Sequence, residues 1–538
     1  MSRVFRAAAV VLAAALSLGA FFRVHLFTWF GQTWGSQFDG GIEAAILEHW
    51  YNVLRGMEPW NRTAWFFPAP DTLGYNDGYF LYGVAHALFR SAGADIFVAS
   101  ALVDMLVKAV GFGGAFLCLR RVFACRFGWA LLGAVLFTVA HGPFRHALHQ
   151  QLLSVSFAPV LALLAWEAWG ALRAERPGRF VLWGAAAALF WGAWLFTAYY
   201  MAWFATLFGC VLAVLAVPAG LRSAWDLAWR RRWHCAAVAA VAVVAVLPFL
   251  MVYLPKLGET GGQSWREILF YTPRPNDIVN LGPDSTMWGR FAGVLCPLCT
   301  RNSFELSDGI TPVLLWLFAA GVLWLVLRGQ GGGGRDRTLP RLVGLATVVL
   351  FLLLFRWSGS LSGWWLVWKL VPGAGGVRVV SRLELFLVAP VVAVTVVYLQ
   401  HLSGRVPRHL LLLLAALLLA EQAEPGMPMY TRRTELARLE VPPAPPACRV
   451  FYVSATDGSA NDGELWRIYP HNVEAMLLSE LLHLPTINGH STFDPPGWNF
   501  ADPLRPDYED RVRAYAAAHG VSGLCRLDLL ARRWDGPV

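Results

Sequence analysis

Long apolar runs separated by short arginine-bearing stretches dominate the chain from residue 7 to residue 423. A helix needs about 20 apolar residues to cross the hydrocarbon of a bilayer, or about 17 where its ends snorkel. By that measure spans are predicted at about 7–27, 96–118, 123–141, 152–172, 180–197, 200–218, 235–254, 310–327, 342–357, 384–400 and 409–423. Between Arg179 and Arg222 lie 42 uncharged residues, enough for two crossings joined at Thr197-Ala198-Tyr199-Tyr200. The last span is short. Its uncharged run from Arg408 to Glu421 reaches only about 18 Å at helical rise, so Arg408 must snorkel for it to cross.

Composition agrees with this pattern. Apolar residues make up 57% of the 538 and charged residues only 15%, where a soluble domain carries about 25% charged residues. The net charge of +9 does not make a nucleic-acid groove, because the arginines sit in short loops between apolar runs. Arg120, Arg121 and Arg126, then Arg173, Arg176 and Arg179, then Arg222 and Arg230–Arg232, then Arg328, Arg335, Arg337 and Arg341, then Arg405 and Arg408 all fall on one side, with Arg3 and Arg6. The positive-inside rule makes that side the cytoplasm. The first run follows Arg3 and Arg6 as a signal peptide would, but lacks a small-residue cleavage context, so an uncleaved first span is expected. The fold class is therefore mainly α, a polytopic membrane helix bundle of about eleven spans. A bacterial cytoplasmic (inner) membrane is the expected location, and membrane lipids are the expected surroundings. Only three lysines (Lys108, Lys256, Lys369) accompany the arginines, as in a GC-rich bacterial genome.

Three outer loops are long, at about 28–95, 255–309 and 358–383, within a bundle of residues 1–424. The first holds a predicted interfacial helix, Ile42–Leu54, whose Ile42, Ala45, Ile46, Trp50 and Val53 recur at helical spacing and suit the headgroup region. Trp364–Lys369 in the third loop has similar character. A proline-rich linker is predicted at 425–446 and a small extracytoplasmic α/β domain at 447–538. In that domain, strands are predicted at Cys448–Ala455 and Val521–Leu529, helices at His471–Leu484 and Tyr508–His519, and a short strand or loop at Thr486–Thr492. Cys118, Cys125, Cys210 and Cys235 lie in or beside apolar runs. Cys296 and Cys299 form a CxxC in an outer loop, read as a disulfide or two thiols rather than redox chemistry or zinc; Cys448 and Cys525 fall in the last domain.

Polar residues at the outer boundary are the candidates for chemistry. Asp39 precedes the loop helix, and Glu43 lies one turn on, so both carboxylates can share a face; Asp39 can also be a simple helix cap. Asp77, in Gly74-Tyr75-Asn76-Asp77-Gly78, has turn composition. Arg145, His146 and His149 follow the third span and suit an anion better than zinc, since no carboxylate stands nearby in sequence. Arg378 and Arg382 can fork onto a phosphate, with Lys369 close by in sequence. Asp104 and Lys108, at i and i+4 inside the second span, are expected to neutralise each other.

A first span followed by a long external loop that opens Phe38-Asp39-Gly40-Gly41-Ile42-Glu43 resembles the GT-C superfamily of integral-membrane glycosyltransferases. His149-Gln150, Asp77 and Asn488-Gly489-His490-Ser491 resemble shorter motifs of some members. The resemblance implies transfer of a sugar from a polyprenyl-phosphate-linked donor to an extracytoplasmic acceptor, with inversion. Asp39 would be the general base, Asp77 and Glu43 its companions, and His149, Arg145, Arg378, Arg382 and Lys369 the phosphate-binding set. The usual Glu after the first Asp is replaced by Gly, so the carboxylate pair here is Asp39 with Glu43. A metal-binding DxD is absent from the sequence, and no cofactor or metal is expected. The alternatives are a transporter or flippase of a lipid-linked or anionic solute, or a catalytically inactive assembly protein with this fold.

Overall fold

The computed structural model describes residues 2–537 except 35–38, 220, 296, 298, 300–303, 328–336, 428 and 455–463. Among the described residues eight helices are long and apolar enough to span a membrane, from Arg3–Phe21 at the N-terminus to Val380–Leu402. Three shorter apolar helices, Pro312–Leu327, Thr338–Leu354 and Arg408–Ala420, complete the bundle. Many outward residues of these helices are leucine, valine and tryptophan, among them Leu16, Leu182, Val243, Trp316 and Leu412. Such a surface is stable only against lipid. The chain is a multi-pass membrane protein.

The bundle has two chemically different ends. At one, arginine-bearing loops pair with stray acids, Arg121 with Glu167 at 3.1 Å and Arg231 with Glu175 at 2.9 Å. At the other lie the long loops and the last 90 or so residues. The helix Arg408–Ala420 links the two. Glu421, just beyond it, accepts from the backbone N–H groups of Val313 and Leu314 (2.9 Å each) and from the Thr311 hydroxyl (2.7 Å). Those donors are the open N-terminus of Pro312–Leu327, so one carboxylate ties two helix ends together.

The C-terminal residues form a small α/β unit. Strand Val450–Ser454 pairs in parallel with Leu524–Asp528, which pairs antiparallel with Arg533–Asp535. A Cys448–Cys525 disulfide closes the sheet, and the helices Glu464–Leu482 and Tyr508–Ala518 belong to the same unit. The segment read as a bare linker carries structure of its own. Its strand Met429–Thr431 pairs antiparallel with Gln32–Trp34 of the first loop, and the helix Arg432–Arg438 follows.

Two expectations need correction. The loop helix runs Asp39–Leu54 and does not lie in the headgroups: twelve of its residues are buried, including Glu43, Glu48, His49 and Asn52. Its polar positions are matched by protein, Glu48 by His86 (3.0 Å) and Arg90 (2.7 Å), and Asn52 by Glu480 (2.9 Å). Trp50, on the face assigned to lipid, packs on the helix Phe80–Ser91, where a Cβ at Gly83 would stand 2.3 Å from its ring, and the flank carrying Gly41 and Asn52 meets the C-terminal unit. Gly41 permits that approach, since a Cβ there would stand 2.5 Å from Val473. Within Ile96–Arg121, Asp104 and Lys108 form no ion pair; the Lys108 ammonium sits over the Phe21 ring at 4.3 Å, and the Asp104 side chain bonds Gln150 instead. Aromatic stacking satisfies the buried cation without a carboxylate.

Candidate functional site

The helix Asp39–Leu54 begins at the long-loop end of the bundle, and Asp39 stands in its first turn, where the helix dipole favours a carboxylate. Four segments meet there. His149, just after the short helix His141–Arg145, places Nδ1 3.9 Å from Asp39 Oδ2 and Nε2 3.3 Å from Glu305 Oε1. Arg382, at the head of the helix Leu383–Leu402, forks onto the two Glu305 oxygens at 3.1 and 2.9 Å. The result is a chain Asp39–His149–Glu305–Arg382 of alternating charge type. Asp39 is the most open of the four, with 39% of its side chain exposed against 10% for Arg382.

Asp77 approaches from the first loop. Its Oδ1 accepts from the Tyr199 N–H at 2.8 Å, the start of the helix Tyr199–Ala216, and it feels the Arg382 charge. Burial pushes its pKa up to about 6, partly offset by those two partners. Glu43 sits behind Asp39 rather than beside it. Its Oε1 accepts from the Gln150 N–H at 2.9 Å and lies 3.1 Å from the Tyr79 hydroxyl. Burial first, then Asp39 and Asp104, hold it well above the usual carboxylate range. Enclosed in this way, Glu43 ties the loop helix to Gln150 and Tyr79.

The remaining candidates divide. Arg378 rests over the Tyr271 ring at 5.6 Å, its backbone N–H donating to Tyr200, and its guanidinium has no ion pair among the described residues. Arg382 lies over the Tyr200 ring at 5.6 Å, so one tyrosine links the two arginines. Arg145 is turned instead toward Glu424 and Asp284, each 3.4 Å away, and lies over Phe304. Lys369 is exposed and stacks on Trp368, with no contact to the cluster.

Sequence reading missed Glu305. Burial alone would raise its pKa, but Arg382 and then His149 hold it well below the ordinary range. It stands in the Pro- and Gly-rich second loop with no periodicity to flag it. The C-terminal unit also contributes. Asn488 is buried and anchors the turn, its Oδ1 accepting from Val453 and its Nδ2 donating to Asn472 and Tyr508. Gly489 then passes the Phe66 ring so closely that a Cβ would lie 2.7 Å away. That brings His490 within electrostatic reach of Asp39, with its own pKa lowered to about 4 chiefly by burial. The Ser491 hydroxyl donates to the Tyr75 carbonyl at 2.5 Å.

Among the described residues two groups of three side chains bring ligating atoms within 4.8 Å of one another: His146, His149 and Glu305 at this site, and His49, Glu58 and Glu480 elsewhere. In the first, charge is already balanced, because Arg382 takes Glu305 and Asp308 takes His146. The carboxylate that the sequence did not place near His149 is thus present, and it serves an arginine.

The architecture and site together describe a polytopic membrane protein with an exposed acid, a histidine and an Arg382–Glu305 pair gathered at one end of its bundle. No family model and no curated protein matches the chain. A similar solved structure is the crystal structure of ArnT from Cupriavidus metallidurans bound to undecaprenyl phosphate, 15% identical over 90% of this chain and 85% of that one, with a TM-score of 0.35.

Proposed function

We infer that the protein is an inverting membrane glycosyltransferase that uses a polyprenyl-phosphate-linked sugar at the outer face of the membrane. The observation that carries this reading is the line Asp39–His149–Glu305–Arg382, drawn from four segments of an otherwise apolar chain. An exposed carboxylate stands at one end of it. Two arginines on a shared tyrosine stand at the other, at the head of the buried helix Leu383–Leu402. Arginine is suited to phosphate by its planar fork.

In the reaction, Asp39 takes the proton of the acceptor hydroxyl as its oxygen bonds to the anomeric carbon. The bond from that carbon to the phosphate oxygen breaks on the opposite face. The lipid phosphate leaves with the electron pair, and Arg382, Arg378 and His149 meet the charge that develops on it. Asp77 and His490 orient the sugar or acceptor, and Glu43 with Gln150 fixes the helix that carries Asp39. The outer-face assignment rests on the arginine loops clustering at the opposite end.

The test is mass spectrometry of lipid extracts and envelope glycans from a strain lacking the protein. The expected result is accumulation of one polyprenyl-phosphate sugar with loss of that sugar from a surface glycan. Unchanged lipid-linked sugars and glycans contradict the reading.

A further inference from the structure

Away from the Asp39 cluster, ten positions further along the same helix and therefore about 15 Å from it at helical rise, three side chains of metal-ligating type converge in the protein interior. His49 comes from the helix, Glu58 from the loop that follows, and Glu480 from the helix Glu464–Leu482 of the C-terminal unit. His49 Nδ1 lies 2.7 Å from Glu58 Oε2, and one ligating atom from each of the three residues falls within 4.8 Å of the others. His49 and Glu480 are wholly buried, and the Glu58 side chain is 12% exposed.

Among the described residues neither carboxylate of this cluster pairs with a lysine or arginine. Glu58 instead hydrogen-bonds Glu480, and burial first, then Glu58, hold the Glu480 carboxyl well above the usual range. Two carboxyls and an imidazole that face one another with only protons between them form a set whose protons a divalent cation can displace. Histidine chemistry points the same way. His49 Nδ1 meets Glu58 Oε2 at 2.7 Å, a contact in which Nδ1–H donates, while Nε2 lies 3.5 Å from the Trp60 carbonyl. A metal ion at Nδ1 would displace that proton and leave Nε2–H to face the carbonyl. A ligating imidazole whose other nitrogen donates to a backbone carbonyl is the usual arrangement around bound metal. Asn52, fully buried, directs its amide nitrogen to Glu58 Oε1 (3.2 Å) and Glu480 Oε2 (2.9 Å), while its amide oxygen has no partner. A half turn of that amide, which exchanges O for N, would present a fourth oxygen to the same point.

We propose that His49, Glu58 and Glu480, with Asn52 as the neighbouring amide, bind one divalent transition-metal ion of the zinc class that staples the first external loop to the C-terminal unit. Ligands about 2.1 Å from a tetrahedral ion lie about 3.4 Å from one another, a spacing these atoms reach by sub-ångström to ångström adjustments. One nitrogen and two or three oxygens suit zinc or manganese. The ion joins residues more than 400 positions apart and so fixes the unit that delivers His490 to the cleft. In the His146–His149–Glu305 group Arg382 already occupies the carboxylate, and that group is not the site.

The test uses full-length protein in detergent, purified without a metal-chelating tag, equilibrated with zinc sulfate, desalted and assayed by elemental mass spectrometry. About one zinc per chain is expected, falling at least fivefold in Glu480→Gln and His49→Ala and unchanged in Glu305→Gln. Wild type that retains no zinc or manganese overturns the proposal, as does a Glu480→Gln protein that retains the full complement. X-ray absorption at the zinc edge of the wild type provides a check that needs no variant. One imidazole and otherwise oxygen neighbours are expected, and two imidazoles or any sulfur neighbour would contradict it. Neither readout depends on sugar transfer.

Discussion

Glu305 lies across Arg382 with both carboxylate oxygens, at 3.1 and 2.9 Å, and the same residue reaches His149 at 3.3 Å. A carboxylate thus occupies the fork that the proposed reaction needs for a phosphate. The two anions compete for one guanidinium, and each stabilises it in the absence of the other. Glu305→Gln leaves Arg382 buried and unpaired, so the donor-free variant should unfold at lower temperature than wild type, by a few degrees for a loss of about 1–3 kcal/mol. Addition of a polyprenyl phosphate should raise its melting temperature more than it raises that of wild type. Equal lipid-induced shifts in both proteins would show that Glu305 and phosphate do not share Arg382.

Asp77 supplies a pH signature. Burial raises its pKa from the usual 3.8 to about 6, so the folded protein favours the neutral acid. The stability this confers is complete below pH 4 and is lost as pH rises through 6. Asp77→Asn cannot ionise and should gain relative to wild type across that interval. Melting temperatures of the two proteins from pH 4 to 7 should diverge upward for the variant and then run parallel. A constant difference would place Asp77 in solvent.

Much of this was legible from the sequence, for physical reasons. Apolar length fixes spans whatever surrounds them, which is why the helices from Ile96–Arg121 to Val380–Leu402 follow the hydropathy pattern. Asp39, Asp77, His149 and Arg382 stand out because an apolar chain has few reasons to keep charge at the ends of its spans. What the sequence hides is which partner covers a face. The amphipathic pattern of Ile42–Leu54 reads the same against lipid as against another helix, and the fold alone reveals protein at Gly41, Glu48, Trp50 and Asn52. Arg145 looks as free as Arg382 until Glu424 is seen beside it. Glu305 sits in a loop without periodicity, and its importance comes wholly from what folds against it.

The Asn488–Ser491 turn yields a test of the docked C-terminal unit. Phe66 is fully buried and cannot retreat from a new methyl group at 489. Gly489→Ala should cost about 1–3 kcal/mol and displace His490 from Asp39, lowering turnover while leaving the transmembrane helices intact. A melting curve and a transfer assay on one preparation check both. Wild-type values in each would mean that the unit is not required at the cleft.

Orientation is open to direct measurement. Arg513, on the helix Tyr508–Ala518, is well exposed, so Arg513→Cys presents a thiol on the C-terminal unit. A membrane-impermeant maleimide should label it in cells whose outer barrier alone is permeabilised. Labelling only after the inner membrane is opened would put the unit, and with it the Asp39 cleft, in the cytoplasm.

The central claim is that Asp39 removes the acceptor proton. Asp39→Asn preserves size and hydrogen bonding but cannot accept a proton as a base, and loss of general-base catalysis lowers rates by about 10²–10⁴-fold. Single-turnover transfer from the lipid-linked sugar identified in the deletion strain, measured with wild type and Asp39→Asn at equal amounts of folded protein in vesicles, is the decisive measurement. A rate at least a hundredfold lower with donor binding retained is the predicted result. Turnover within twofold of wild type would contradict the account and return Asp39 to the role of a helix-terminal carboxylate.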